Sequence, residues 1–99
     1  MRILSIDPGL SVTGFGILES VKTGQINLLA YGSIKPPIKD TLPRRLNFLF
    51  EETIKILDKF NPEALAIEDL FFSKNFKSAM ALGQARGALI LAAAQANLP

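Results

Sequence analysis

The chain has 99 residues, 48% hydrophobic and 20% charged, a balance that supports one globular domain over residues 1–99 and excludes an intrinsically disordered chain. It contains no cysteine and no histidine, which excludes a disulfide framework, a thiolate zinc site and histidine acid–base chemistry; any metal here must be held by oxygen. A formal net charge of +2 permits a nucleic-acid partner without requiring one.

Arg2 to Ile6 is a short apolar run ended by Asp7, Pro8 and Gly9, which predicts a strand stopping at a turn. Met1 runs straight into it with no signal-peptide pattern, so a cytoplasmic location is expected. Thr13 to Glu19 predicts a second strand, and Gln25 to Ile34, past the turn-like Lys22-Thr23-Gly24, a third. Connections this short imply an antiparallel meander. Pro36 and Pro37 make Lys35 to Asp40 a surface loop.

A helix follows, with Thr41 as its cap and Pro43 in its first turn. Leu42, Leu46, Phe50, Ile54 and Leu57 recur at helical spacing and predict its core-facing stripe. Asn61-Pro62 ends it, and Ala64 to Ile67 reads as a strand buried on both faces, running into Glu68. Phe76 to Asn97, rich in Ala, Leu, Gln and Met, predicts a second helix. Gly83 and Gly87 each weaken that helix by roughly 1 kcal/mol, so they predict close packing against another backbone, the alternative being ligand contact. The apolar stretch Ala88 to Ala94 is too short to span a bilayer, and no membrane role is expected.

This order predicts an α/β fold, a sheet flanked by helices. The last helix reaches Leu98-Pro99 without the strand that a parallel sheet would next require, so a fragment is expected, with a sheet edge and part of a helical face exposed.

Chemistry concentrates at two strand ends. Asp7 and Glu68 each close a strand, and a helical crossover between parallel neighbours would bring such ends onto one rim. Two carboxylates there form part of an oxygen cage for a divalent cation, Mg²⁺ being suited to a phosphodiester substrate. The structural alternative is that Asp-Pro-Gly is simply a good turn and Glu68 a solvated carboxylate. Glu68 and Asp69 point to opposite faces of a strand, and spacing does not decide which of them joins Asp7.

Two blocks carry a family resemblance. Arg2-Ile3-Leu4-Ser5-Ile6-Asp7-Pro8-Gly9-Leu10, followed by Thr13-Gly14-Phe15-Gly16, resembles the opening of RuvC-type Holliday-junction resolvases. Ala66-Ile67-Glu68, Phe71-Phe72-Ser73-Lys74-Asn75, Ser78-Ala79 and Leu82-Gly83-Gln84-Ala85-Arg86-Gly87 are similar to that family's second catalytic block and its following helix. The similarity runs essentially end to end.

The resemblance implies an RNase H-like mixed sheet flanked by helices, truncated before its last strands and C-terminal helices. It implies four active-site carboxylates, two Mg²⁺ or Mn²⁺ ions, and a homodimer cutting opposed strands of four-way junction DNA to leave 5′-phosphate and 3′-hydroxyl ends. Asp7 and Glu68 match the first two carboxylates; the other two, on a later helix, have no counterpart among these 99 residues, which puts the activity of this chain alone in question. RuvA and RuvB are implied partners. Phe71 matches an aromatic set against bases, the alternative being a core phenylalanine in the Phe71, Phe72 and Phe76 cluster. Lys74, Lys77 and Arg86 are candidate phosphate contacts, or a solvated face; Arg44 and Arg45 fit the polar side of the first helix and are weaker candidates.

Two other readings stay open. An actin-like or sugar-kinase-like ATP-binding domain also opens with strands joined by an acidic, glycine-bearing loop like Asp7 to Gly16, but the block from Glu68 to Gly87 and the lack of a second phosphate loop argue against it. A catalytically silent DNA-binding or dimerisation module is the other, with the second helix as its dimer face.

Overall fold

Residues 2–34 alternate apolar with small or polar side chains, and in the computed structural model they fold into a meander of β1 (Arg2–Asp7), β2 (Thr13–Ser20) and β3 (Ile26–Ile34). The structure describes residues 1–67 and 76–98, the side chains of 76–78 excepted. The chain then enters α1 (Leu42–Phe60), returns through β4 (Ala64–Ile67) and ends in α2 (Phe76–Gln95). The four described strands lie in the order β3-β2-β1-β4, with β1 antiparallel to β2 and parallel to β4. This is the mixed sheet with flanking helices that the sequence predicts.

Both helix ends are closed by asparagine in the left-handed conformation. Asn61 (φ 48°) donates its N–H to the Leu57 carbonyl, and Pro62 then bars further helix. Asn97 (φ 62°) ends α2 two residues short of its own position, its N–H bonding to Ala94 O and that of Leu98 to Ala93 O. At its start, α1 differs from expectation: Thr41 makes no side-chain cap, and Asp40 Oδ1 accepts from the Thr41 N–H instead.

One sheet face is dry. Leu4, Ile6, Ile17 and Ile34 meet Leu49 and Leu57 of α1 and Ala85, Leu89 and Ala92 of α2, so both helices cover the same face. The innermost line of α1 is Leu49, Thr53 and Leu57, not the stripe predicted from Leu42. Leu42 lies on nearly the same side of the helix but sits in its first turn and is 39% exposed; Leu46, Phe50 and Ile54 flank the line half-buried. Thr53 belongs in the line because its hydroxyl donates to Leu49 O at 2.7 Å and leaves no unsatisfied polar atom.

Two further expectations are corrected. β4 is half-buried rather than covered on both faces, with Ala66 exposed, because among the described residues helices pack on one face only and β1 is its one neighbour. Gly83 and Gly87 approach nothing: a Cβ built on either meets no atom within 4 Å, so packing within the described chain does not account for them.

The β1–β2 connection is tightly held. Thr13, fully buried, accepts the Gly9 N–H at 3.1 Å and donates its hydroxyl to Gly9 O at 2.6 Å. A Cβ on Gly9 would collide with the Val12 carbonyl oxygen, so this turn needs glycine for space. Arg2 ties the opposite end, donating from Nη1 to the Phe60 carbonyl at the close of α1, while the Glu63 N–H bonds to Arg2 O and starts the β1–β4 ladder.

Leu49→Ala should therefore cost about 2–5 kcal/mol in urea unfolding and Leu42→Ala less than about 1; equal costs would contradict the buried line. Gly9→Ala should destabilise by roughly 1–3 kcal/mol, more than Gly24→Ala, even though Gly24 has a positive φ of 81°, because nothing lies within 4 Å of Gly24; the same urea titration ranks the pair.

Candidate functional site

Direct strand partners share a face, so the register sorts the sheet. Leu4 pairs with Ile17 and Leu65, and Ile6 with Phe15 and Ile67, which sets these residues toward the helices. Ile3, Ser5 and Asp7 alternate to the other face, together with Gly14, Gly16, Ala64 and Ala66. That face is open among the described residues, with Ala66 and Ser33 exposed and Tyr31 79% exposed.

Asp7 is the last residue of β1 and is exposed. Its partner Gly14 removes any side chain from the neighbouring position: a Cβ there would sit 3.9 Å from the Asp7 Cβ. Among the described residues the Asp7 carboxylate has no ion-pair partner and accepts no side-chain hydrogen bond, which leaves both oxygens available to a hard cation. The parallel register ends at Ile6 with Ile67, so the next step along β1 is Asp7 and the next along β4 is position 68. Glu68 itself lies outside the described residues, as do Phe71 and Lys74; Lys77 is in the first turn of α2 with its side chain outside them. No group of three or more carboxylates capable of holding a metal occurs among the described residues.

Arg86 is half-buried on α2, lining a recess with Leu65, Ile67, Ile90 and Ala93, and its Nε is buried without a hydrogen-bond partner among the described residues. It therefore stands at the end of β4 rather than on a freely solvated face. Two residues near Asp7 were missed as site components. Thr13 clamps the turn that follows Asp7, a role its four-residue spacing from Gly9 hints at. Arg45, expected on the polar side of α1, is half-buried and donates from Nη2 to Leu10 O at 3.3 Å. It sits four residues before Leu49, on the buried line, and that spacing was the available signal. No described helix is long and apolar enough to cross a membrane.

Comparison with known proteins bears on the same residues. The family model for crossover junction endodeoxyribonuclease RuvC matches residues 3–99. The RuvC protein of Dictyoglomus thermophilum is 42% identical over 95 residues, covering 96% of this chain and 60% of that protein. That of Finegoldia magna is 44% identical over 98 residues, covering 99% of this chain and 59% of that protein. Among solved structures, Thermus thermophilus RuvC in complex with a Holliday junction substrate superposes with a TM-score of 0.92 at 28% identity, over 100% of this chain and 63% of that one. The chain thus spans about 60% of the length of the curated relatives it matches. The fold is the RNase H-like mixed sheet of these relatives, and the match across nearly the whole chain sets aside the ATP-binding reading. The chain belongs to the RuvC family of crossover junction endodeoxyribonucleases.

Proposed function

We propose that this chain carries half of the active site of a structure-selective, metal-dependent endonuclease that resolves four-way DNA junctions in recombination and repair. The observation that carries the reading is the parallel β1–β4 register, taken with the family match: Asp7 follows Ile6 and Glu68 follows Ile67, the paired ends of adjacent strands. Glu68 rather than Asp69 is the proposed companion of Asp7: the described register pairs Ile6 with Ile67, and a pairing continued one step would put the residues after them on one face. The solved relative with a Holliday junction substrate supports the choice of DNA.

The donor set fits Mg²⁺ or Mn²⁺. Asp7 and Glu68 supply hard, anionic oxygens, the chain contains neither histidine nor cysteine to favour a softer ion, and a two-ion site would take its remaining protein ligands from carboxylates outside these 99 residues. When bound, such ions supply hydroxide at neutral pH and stabilise a departing 3′ oxygen. The chain's own residues have simpler tasks. Asp7 and Glu68 hold charge at one rim, Gly14 and Gly16 keep the sheet face beside them low enough for a backbone phosphate to approach, and no histidine base is needed.

Phe71 is proposed to stack on a base near the crossover, an interaction of roughly 1–3 kcal/mol, and Lys74, Lys77 and Arg86 to meet phosphates. Cutting two opposed strands calls for two copies, and a homodimer through α2 is supported by the exposure of Met80, Ile90 and Leu91 beside the unexplained Gly83 and Gly87. RuvA and RuvB are the further partners this reading proposes.

With any natural continuation of the chain included, the protein should nick a synthetic four-way junction symmetrically in Mg²⁺, and Asp7→Asn should reduce nicking by roughly 100-fold or more while junction binding persists. A folded protein that binds the junction and never cuts it would leave a binding module. One that ignores the junction would overturn the proposal altogether.

A further inference from the structure

We propose that Arg45 is a positioning residue for Asp7, anchoring the turn after β1 to helix α1; this rests on the reading of Asp7 as a metal ligand. The turn between Asp7 and Thr13 is held at two points. On the sheet side, Thr13 closes it by bonding both the N–H and the carbonyl of Gly9. On the helix side, Arg45 Nη2 reaches Leu10 O at 3.3 Å, across 35 residues of sequence. Leu10 is itself half-buried and packs against the core cluster, so the turn is drawn toward the helices while the Asp7 carboxylate is left on the opposite, open face.

The position of Arg45 makes this tie specific. Residues 45, 49, 53 and 57 recur every four residues along one line of α1, and the last three are its buried members. A guanidinium on that line is costly where an apolar side chain would pack, and its Nε is buried with no partner among the described residues. No described carboxylate pairs with it, in contrast to Arg44, whose exposed guanidinium lies 3.7 Å from Asp40. The one side-chain hydrogen bond it makes among the described residues is to Leu10, three residues after Asp7. A metal ligand held by a fixed neighbouring turn needs less ordering when the ion arrives, so removing the tie weakens ion binding without touching the carboxylate.

The test compares Arg45→Ala, Arg45→Gln and Arg45→Lys with the unsubstituted protein. In the metal-free state, the amides of residues 9–13 should exchange with solvent about tenfold faster in Arg45→Ala and Arg45→Gln, the loss expected for one charge-assisted hydrogen bond, with β2–β3 amides unchanged. The Mg²⁺ dissociation constant, measured by calorimetry, should rise about 5- to 10-fold in the same two variants, and Arg45→Lys, which keeps one donor, should fall between. Unchanged Mg²⁺ affinity in Arg45→Ala and Arg45→Gln would overturn the proposal, as would exchange that quickens throughout the sheet, which marks a merely structural residue. Should the protein, with any natural continuation included, bind Mg²⁺ yet fail to cut junctions, the resolvase reading falls while the affinity comparison still decides the role of Arg45.

Discussion

The parallel pairing of β1 with β4 is the constraint on which the rest depends. The two strands are separated by two strands and a helix in sequence, yet Ile3 to Ile6 lie beside Ala64 to Ile67 in an uninterrupted register. That register decides which side chains face the helices and which face outward, and it brings the ends of both strands to the same rim. A slip of one residue would turn Leu65 and Ile67 out of the core. The contacts that hold it are therefore functional in effect: the Glu63 N–H on Arg2 O, the Arg2 guanidinium on the Phe60 carbonyl, and the apolar ladder of Leu4, Ile6, Leu65 and Ile67.

The two faces of the sheet then divide the work. The helical face is apolar and closed, with Leu49 and Leu89 fully buried against β1 and β2. The other face carries Asp7 beside small residues, Ser5, Gly14, Gly16 and Ala66, so few described side chains crowd its carboxylate. Because the chain contains neither histidine nor cysteine, the ion proposed at that rim would be held by oxygen. The turn after Asp7 is the link between the faces, closed by Thr13 from the sheet and pulled toward α1 by Arg45.

Element order was legible in the residues because turn signals and periodicity are local: prolines at 36, 37 and 62, and apolar runs ending at Ile6 and Ile67, mark boundaries found within a residue or two. The core line of α1 was less so, since Leu42 and Leu49 lie on nearly the same side of the helix and only tertiary packing decides which end the sheet covers. Thr53 and Arg45 were missed for a related reason. A polar side chain on a buried line looks like a polar face until its partner, Leu49 O or Leu10 O, is known. Gly83 and Gly87 mislead in the other direction, since close packing is the usual reason for helical glycines and none exists here within the described chain. Asp7 was legible as a strand-end carboxylate, but the direct pairing of Ile6 with Ile67, on which the proposed choice of Glu68 over Asp69 rests, is a matter of register, which no spacing in sequence provides.

The central claim is that Asp7 and Glu68 hold one ion between them, and the most direct test is a double-mutant cycle on Mn²⁺ affinity, read by electron paramagnetic resonance, with Asp7→Asn, Glu68→Gln and both together. Two ligands to one ion predict strong non-additivity: either substitution alone weakens binding roughly as much as the pair. Additive losses, or a Glu68→Gln protein that binds Mn²⁺ as tightly as the unsubstituted one, would contradict the account.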